Sequence, residues 1–239
     1  MNKRQKKTAL KSFIVIITFA VGSVFLFGLN ACTHPDYDID ALIQSRVNNV
    51  VRIRGASDGS GTLVDMRYYP YSGYHGIIIT CYHVVKGHRF VEVALNTDSD
   101  YFELARLMDN GYDADYDIAI FETVLPISPY FASVLEWANI TTLTQGQRVL
   151  TFGDARGGGV VSSQGVVDKV NIIGNVGGAV NQEMTLIRVT SQIVNGKSGG
   201  PTFDMQGRLI GINIGTRGGL GYLVPADDVR TIFERVTRL

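Results

Sequence analysis

The sequence has no excess of either charge and few cysteines. Its 239 residues include 22 basic and 22 acidic side chains but two cysteines. Five of the basic residues and none of the acidic ones precede residue 32, so the rest of the chain holds 17 basic against 22 acidic side chains, a net charge of −5. This deficit of positive charge argues against a nucleic-acid-binding surface. The 27 glycines and the 18% of charged residues are typical of a soluble, turn-rich β-protein.

The N-terminus has the pattern of a targeting segment. A basic start leads into the uncharged run 13–29 and then into Leu29-Asn30-Ala31-Cys32. This arrangement resembles a bacterial lipobox, which predicts a lipoprotein signal peptide over residues 1–31 and a lipid on Cys32. The alternative is an uncleaved transmembrane anchor, since about 17 apolar residues can just span a bilayer. Residues 32–48 are predicted to be a polar tether that can end in a short helix.

The small number of cysteines bears on whether the chain can form a disulfide. Lipidation of Cys32 would leave Cys81 as the only thiol, so an intramolecular disulfide would be impossible. The chain would then differ from disulfide-stapled secreted proteins and rely on its core. We expect Cys81 to be a buried apolar thiol rather than a redox group, because free cysteines are usually buried.

Three separated segments carry the residue types of an acyl-transfer triad. They read ITCYHVV at 79–85, DYDIAI at 115–120 and NGKSGGP at 195–201. A serine hydroxyl is a poor nucleophile at neutral pH, so it needs a neutral imidazole to accept its proton and a carboxylate to hold the imidazole's tautomer. The order histidine, aspartate, serine is one of the known orders of this triad.

These segments resemble the motifs TNxHVV, DLAV and GNSGGP of the HtrA/Do-like branch of the trypsin-like serine proteases. Three further segments follow in the family's order: GSGTL at 59–63, RLIGIN at 208–213 and GLGYLVP at 219–225. The resemblance covers about residues 50–239 and implies a trypsin-type fold and a serine endopeptidase. HtrA-like proteases usually continue into a PDZ domain. We expect no room for one here, and therefore no PDZ-based regulation.

The resemblance also implies roles for single residues. Ser198 would be the nucleophile and His83 the general base and acid. Asp117 would be the buried orienting carboxylate, since it opens an apolar run as the family's aspartate does. Its neighbours Asp113 and Asp115 are expected to be solvated turn residues.

The loop around the serine carries further expectations. The backbone N–H groups of Gly196 and Ser198 would form the oxyanion hole, and Gly199 and Gly200 would leave room for substrate. Lys197 stands where family members usually carry asparagine, and we expect its side chain to be solvated.

The substrate pocket is predicted by resemblance at Gln192, Ile214 and Thr216. Gln192 stands near the place where trypsins hold an aspartate, so cleavage after arginine or lysine is not expected. Ile214 and Thr216 would narrow the pocket and favour small or medium aliphatic side chains.

Two other kinds of site are rejected on neighbouring residues. The alternating aspartates of the second segment resemble a calcium loop, but Ile118 stands where that loop needs glycine. The third segment resembles the end of a P-loop, but Ser191 stands where glycine is needed, and the glycines after the serine would break the following helix. No metal or organic cofactor is implied.

His75 and His88 flank turns and are expected at the solvated surface.

Short apolar runs separated by turn residues predict an all-β fold, with two six-stranded antiparallel barrels and a C-terminal helix. The protease domain is expected over 49–239, with barrel one at about 49–124, barrel two at about 145–225 and the helix at 226–238. The predicted strands are 50–54, 61–66, 76–80, 90–95, 101–107 and 117–123, then 148–153, 160–170, 184–190, 201–203, 208–214 and 221–224.

Taken together, these features predict a serine endopeptidase that hydrolyses envelope or unfolded proteins. It would be held in the bacterial cell envelope by the lipid on Cys32, facing out of the cytoplasm, and at the outer membrane if the host has one. Its partners would be protein or peptide substrates and the membrane, not nucleic acid. The alternative is a non-proteolytic surface lipoprotein that uses the same fold to bind protein.

Overall fold

The computed structural model describes residues 37–95, 101–155, 158–174 and 183–238. The described residues form two closed barrels, each of six antiparallel strands, followed by a helix. This confirms the predicted fold class. The predicted signal peptide and Cys32 lie outside the described residues. No helix that the structure describes has the length and apolar character needed to cross a membrane.

The first barrel is built from the N-terminal six strands. They are β1 (Val50–Arg54), β2 (Asp58–Tyr69), β3 (Gly73–Cys81), β4 (Phe90–Ala94), β5 (Glu103–Asp113) and β6 (Ile118–Thr123). Their order is β1-β2-β3-β6-β5-β4, and pairing of β1 with β4 closes the ring. All six residues of β6 are buried, and the C-terminal helix packs against this strand. A strand covered on both faces shows no polar alternation, which is how residues 118–121 of β6 read in the sequence.

The second barrel repeats this plan. Its strands are β7 (Arg148–Asp154), β8 (Val160–Gly174), β9 (Met184–Val189), β10 (Pro201–Asp204), β11 (Leu209–Arg217) and β12 (Leu220–Pro225). Their order is β10-β11-β12-β9-β8-β7, closed by pairing of β7 with β10. Five of these strands each place an apolar side chain in one core cluster: Val149, Val167, Ile187, Ile210 and Leu223.

Three α-helices flank the strands in the described ranges: α1 (Ile39–Arg46), α2 (Tyr82–Val85) and α3 (Ala226–Thr237). Helix α1 corresponds to the short helix predicted before β1, and α3 ends one residue before its predicted end. Helix α3 buries Val229, Ile232 and Val236 at helical spacing. Its first turn holds Asp227 and Asp228, which complement the positive end of the helix dipole.

Several strands run past their predicted ends. Strands β2 and β3 continue beyond Met66 and Gly76 as a paired hairpin. The alternation of apolar residues stops there because much of the hairpin is exposed, whereas the backbone pairing continues. Strand β5 reaches Asp113 through a register shift, with Asn110 at a φ of 54°. A bulge of this kind leaves no periodic signal in the side chains.

A buried ion pair joins the two barrels. Arg52 of β1 places its Nε 3.1 Å from Oδ2 of Asp154 at the end of β7, and the two side chains are 11% and 5% exposed. The carboxylate of Asp154 is therefore largely removed from water, and Arg52 is the cation that pairs with it. Breaking such a pair from one side is much more harmful than losing a surface pair, because it leaves an uncompensated buried charge.

Replacing Arg52 should therefore destabilise the protein through Asp154. We expect Arg52→Met to lower the free energy of unfolding by about 3 kcal/mol, measured by urea denaturation. Arg54→Met is a matched control, because Arg52 and Arg54 both lie over the ring of Phe102. Arg54 pairs with Glu92 at 3.9 Å on the surface, so its loss should cost about 1 kcal/mol or less. Equal losses in the two variants would contradict the role assigned to the ion pair.

Candidate active site

His83 lies where strand β3 turns into helix α2. Cys81 ends the strand with extended backbone, and α2 begins at the next residue. The N–H of Tyr82 donates to the carbonyl of Asp117 at 2.9 Å. The turn that carries the histidine is thus tied to the residue that precedes β6.

Asp117 holds His83 at two points. Its Oδ2 lies 2.6 Å from Nδ1 of the imidazole, and its Oδ1 accepts the backbone N–H of His83 at 2.8 Å. Because an ionised carboxylate only accepts hydrogen bonds, Nδ1 carries the proton and Nε2 is left as an acceptor. Asp117 is 2% exposed, whereas the imidazole is 25% exposed. The histidine is therefore fixed in orientation and tautomer while its free nitrogen stays within reach of solvent.

Asp117 also has a left-handed backbone, with a φ of 53°. Left-handed geometry is unfavourable for residues with a Cβ by about 1–2 kcal/mol. The carbonyl and both carboxylate oxygens of Asp117 accept hydrogen bonds from Tyr82 and His83, which holds this conformation. As predicted, Asp117 is buried and Asp115 is exposed, whereas Asp113 is partly buried and pairs with Arg235 at 3.1 Å.

Ser198 lies in the second of two successive tight turns. The N–H of Lys197 donates to the carbonyl of Val194 at 3.0 Å, and the N–H of Gly200 donates to the carbonyl of Lys197 at 3.1 Å. The third position of each turn is a glycine with positive φ, Gly196 at 93° and Gly199 at 87°. Turns that need positive φ at this position select glycine, so the backbone itself accounts for two of the glycines around the serine.

The serine turns are docked onto barrel one. The N–H and the hydroxyl of Ser60 donate to the carbonyls of Ser198 and Gly196 at 2.8 and 2.6 Å. The hydroxyl of Thr62 donates to the carbonyl of Gly199 at 3.0 Å. Both residues belong to β2, whereas the serine turns belong to the second barrel, so the site is assembled across the interface between barrels.

The glycines after the serine make room for the protein itself. A Cβ added at Gly199 would lie 2.0 Å from the carbonyl oxygen of Ser60, and one at Gly200 would lie 2.5 Å from that of Phe152. The expectation that these two glycines leave room for substrate is therefore wrong. They allow the serine turns to approach β2 and β7.

Two backbone donors beside the serine are free. Within the described ranges, the N–H groups of Gly196 and Ser198 donate to no acceptor. The Lys197 carbonyl, which shares a peptide group with the N–H of Ser198, accepts from Gly200 and from the side chain of Asn213. The orientation of that N–H is therefore fixed without its own hydrogen bond being used.

The structure places Ser198 beside the histidine segment without a bond to the imidazole. A Cβ at Gly199 would lie 3.0 Å from the backbone nitrogen of Cys81, two residues before His83. The hydroxyl of Ser198 donates to the carbonyl of Ile214 at 3.2 Å. No hydrogen bond joins Ser198 to His83 in the part of the chain that the structure describes.

The three predicted pocket residues lie on the segment before the serine and on β11. Gln192 and Thr216 are exposed, and Ile214 is buried. The hydroxyl of Thr216 accepts the N–H of Ile193 at 2.9 Å and donates to the carbonyl of the same residue at 2.8 Å. This double contact fixes the spacing between the two segments.

The observed environment of Lys197 differs from the predicted one. It is 3% exposed rather than solvated, and its Nζ donates to the hydroxyl of Ser163 on β8 at 2.9 Å. The turn at Gly196 directs the side chain inward over Gly153, where an added Cβ would lie 2.7 Å from Cα of Lys197. Burial lowers the pKa of the Lys197 ammonium below its ordinary value.

His75 also differs from its prediction. It is 8% exposed, and its ring nitrogens lie 2.8 Å from the carbonyl of Thr123 and 3.0 Å from the hydroxyl of Ser72. The expected surface position is wrong because β3 runs on through this residue. His88 is exposed, as predicted.

Among the described residues, Cys81, His83 and Asp117 form the group that most resembles a set of metal ligands. Their potential ligand atoms lie within 4.8 Å of one another. The imidazole and the carboxylate already bond each other at 2.6 Å, which leaves no space for an ion between them. Burial, together with the neighbouring Asp117, raises the pKa of the Cys81 thiol well above its ordinary value, so the thiolate that a metal requires is disfavoured. His83 and Asp117 hydrogen-bond each other, whereas the Sγ of Cys81 donates to the carbonyl of Asn213.

Comparison with known sequences shows the family to which this double-barrel chain belongs. The family described as trypsin-like peptidase domain matches residues 59–212, and the chain belongs to that family. A Rickettsia prowazekii (strain Madrid E) protein named probable periplasmic serine endoprotease DegP-like is 28% identical over 184 residues, which are 69% of this chain and 32% of its own. The mitochondrial serine protease HTRA2 of Drosophila erecta is 28% identical over 183 residues, 75% of this chain and 40% of its own. The chain thus spans about a third of the length of such relatives.

Solved structures show the same fold. The inactive form of the Rv3671c protease of M. tuberculosis H37Rv has a TM-score of 0.66 and 22% identity, over 87% of this chain and 98% of its own. Deg5 has a TM-score of 0.67 and 22% identity, over 84% of this chain and 94% of its own. At this identity the likeness concerns the double-barrel architecture.

Burial of Lys197 predicts a pH dependence of stability. Because the pKa is lowered in the folded state, the unfolded chain binds more protons between that pKa and 10.5, and this residue makes stability rise with pH across that window. Below the folded-state pKa, Lys197 is charged in both the folded and the unfolded chain, so the full cost of burying its ammonium lowers the free energy of unfolding. We expect Lys197→Met to unfold at higher urea concentration than the natural protein at pH 7, with the difference closing toward pH 10.5. The exposed Lys169 offers the control Lys169→Met, which should keep the natural pH dependence. Parallel curves for the natural protein and Lys197→Met would contradict this interpretation.

Proposed function

We propose that this chain is a serine endopeptidase of the HtrA/Do-like type, with Ser198 as nucleophile, His83 as general base and acid, and Asp117 as orienting carboxylate. The observation that carries the proposal is the double contact of Asp117 with His83, which leaves Nε2 as the proton acceptor. The two free N–H groups at Gly196 and Ser198 support it, since an oxyanion hole needs unused donors. Membership of the trypsin-like peptidase family supports the same reaction class.

The reaction would proceed through an acyl-enzyme. The hydroxyl of Ser198 turns from the carbonyl of Ile214 toward Nε2 of His83, which takes its proton as Oγ attacks the peptide carbonyl carbon. The oxyanion that forms is bound by the two N–H groups, each worth about 3 kcal/mol of barrier. The imidazolium then gives its proton to the departing amine as the C–N bond breaks. A water molecule, deprotonated by the same imidazole, hydrolyses the ester and restores Ser198.

The resting contact of Ser198 with Ile214 is compatible with this route. Hydrogen bonds between catalytic groups are often long or misaligned before substrate binds and tighten in the complex. A rotation of the serine side chain changes its partner without moving the turns, which are fixed by Ser60 and Asn213.

We place the enzyme in the bacterial cell envelope, outside the cytoplasm. Support comes from the lipobox-like Cys32 and from the DegP-like relative, which is named as periplasmic. Its substrates would be envelope or unfolded proteins. A pocket formed by Gln192, Ile214 and Thr216 would take small or medium aliphatic side chains rather than arginine or lysine.

Removing the nucleophile should abolish cleavage without unfolding the protein. We expect the detergent-solubilised full chain to cleave unfolded casein and to be labelled by a serine-directed phosphonate, whereas Ser198→Ala should lose about 10⁶-fold in kcat and take no label. Equal urea midpoints would show that both proteins are folded. Cleavage by purified Ser198→Ala would refute the mechanism. A natural protein that neither cleaves nor takes label would favour the protein-binding lipoprotein.

The choice of carboxylate can be tested with neighbouring aspartates. We expect Asp117→Asn to lower kcat by about 10⁴-fold, because an amide favours the wrong imidazole tautomer. Asp115→Asn is the matched control, since its side chain is exposed and lies two residues away. It should keep natural activity with a chromogenic peptide substrate. The reverse result would identify Asp115 as the orienting group.

A further inference from the structure

Cys81 occupies a buried position between the two halves of the proposed site. It is fully buried, ends β3 and lies two residues before His83. Its sulfur and the potential ligand atoms of His83 and Asp117 lie within 4.8 Å of one another. The HtrA-like motif that this segment resembles carries asparagine at this place, so the resemblance assigns no role to a thiol here.

The thiol has a definite hydrogen-bond partner on the second barrel. Its Sγ donates to the carbonyl of Asn213 on β11 at 3.1 Å. The same carbonyl accepts the N–H of Gly199, the residue after Ser198, at 2.8 Å. One oxygen atom therefore joins the segment that carries the histidine to the turn that carries the serine.

The surroundings of Cys81 keep its thiol protonated. Burial and the adjacent carboxylate of Asp117 raise the pKa of the thiol, so Cys81 remains a neutral S–H donor at physiological pH. The S–H donates to the carbonyl of Asn213, while the carboxylate of Asp117 holds the backbone and the imidazole of His83.

We propose that Cys81 is a positioning residue, whose S–H hydrogen bond to Asn213 sets the distance between the His83–Asp117 pair and the Ser198 turn. This inference rests on the proposed protease function. The role follows from geometry: the proton transfer needs Oγ and Nε2 in near-attack positions, and they belong to different barrels. A displacement of about 1 Å can reduce a rate by about 10²-fold.

Three substitutions separate hydrogen bonding from packing. Cys81→Ser keeps a donor, Cys81→Val keeps an apolar side chain of similar size without a donor, and Cys81→Ala removes both. We expect Cys81→Val and Cys81→Ala to lower kcat for a peptide substrate by about tenfold with KM unchanged, and Cys81→Ser to stay within about threefold of the natural kcat. The rate of phosphonate reaction at Ser198 should fall in parallel. Urea midpoints would establish that each variant is folded.

The outcomes distinguish this inference from the function on which it rests. A folded Cys81→Val with natural kcat and phosphonate rate would overturn the positioning role while leaving the protease function intact. Loss in Cys81→Ser as large as in Cys81→Val would overturn it too, because the donor would then be irrelevant. A natural protein that neither cleaves peptide nor reacts with phosphonate would overturn the protease function first. Rescue by serine alone, in kcat and in phosphonate rate, supports the inference.

Discussion

The proposed site depends on the contact between Ser60 and the serine turns. His83 and Asp117 belong to barrel one and Ser198 to barrel two, so no single barrel holds a complete set. Ser60 bridges them with its N–H and its hydroxyl, at 2.8 and 2.6 Å. Its hydroxyl also accepts the N–H of Asp154 at 2.8 Å, the residue whose carboxylate pairs with Arg52. The ion pair between the barrels and the geometry of the serine turns are therefore parts of one connected structure.

A buried polar network supports the turns from the other side. Asn213 is fully buried; its amide nitrogen donates to the carbonyl of Phe152 at 2.8 Å, and its amide oxygen accepts the hydroxyl of Thr202 at 2.6 Å. The hydroxyl of Thr202 also lies 3.1 Å from that of Thr151, which in turn hydrogen-bonds the hydroxyl of Ser191 before the serine turns. Satisfied buried polar groups make a structure specific, because every alternative arrangement would leave one of them unpaired. The free N–H groups at Gly196 and Ser198 are conspicuous against this background.

The sequence predicts the two barrels well because their strands alternate or contain a short apolar run, as β6 does at residues 118–121. The sequence also predicts that Asp117 rather than Asp115 is the buried carboxylate, because Asp117 directly precedes a buried strand. The predictions for Lys197 and for the glycines after the serine are wrong for a common reason. Their environment is made by β2, β7 and β8, which are far from them along the chain, and local patterns carry no information on which distant backbone fills a neighbouring space.

Cys81 and Lys197 depart from the HtrA-like motifs at corresponding places, each one or two residues from a member of the proposed triad. In both motifs the family usually carries asparagine there. Neither departure is a surface change: the two residues are 0% and 3% exposed, and each donates to an acceptor on the second barrel, the carbonyl of Asn213 or the hydroxyl of Ser163. Asparagine, cysteine and lysine share one property, a side chain that can donate a hydrogen bond. In this chain the thiol of Cys81 ties the histidine segment to β11, and the ammonium of Lys197 ties the serine turns to β8.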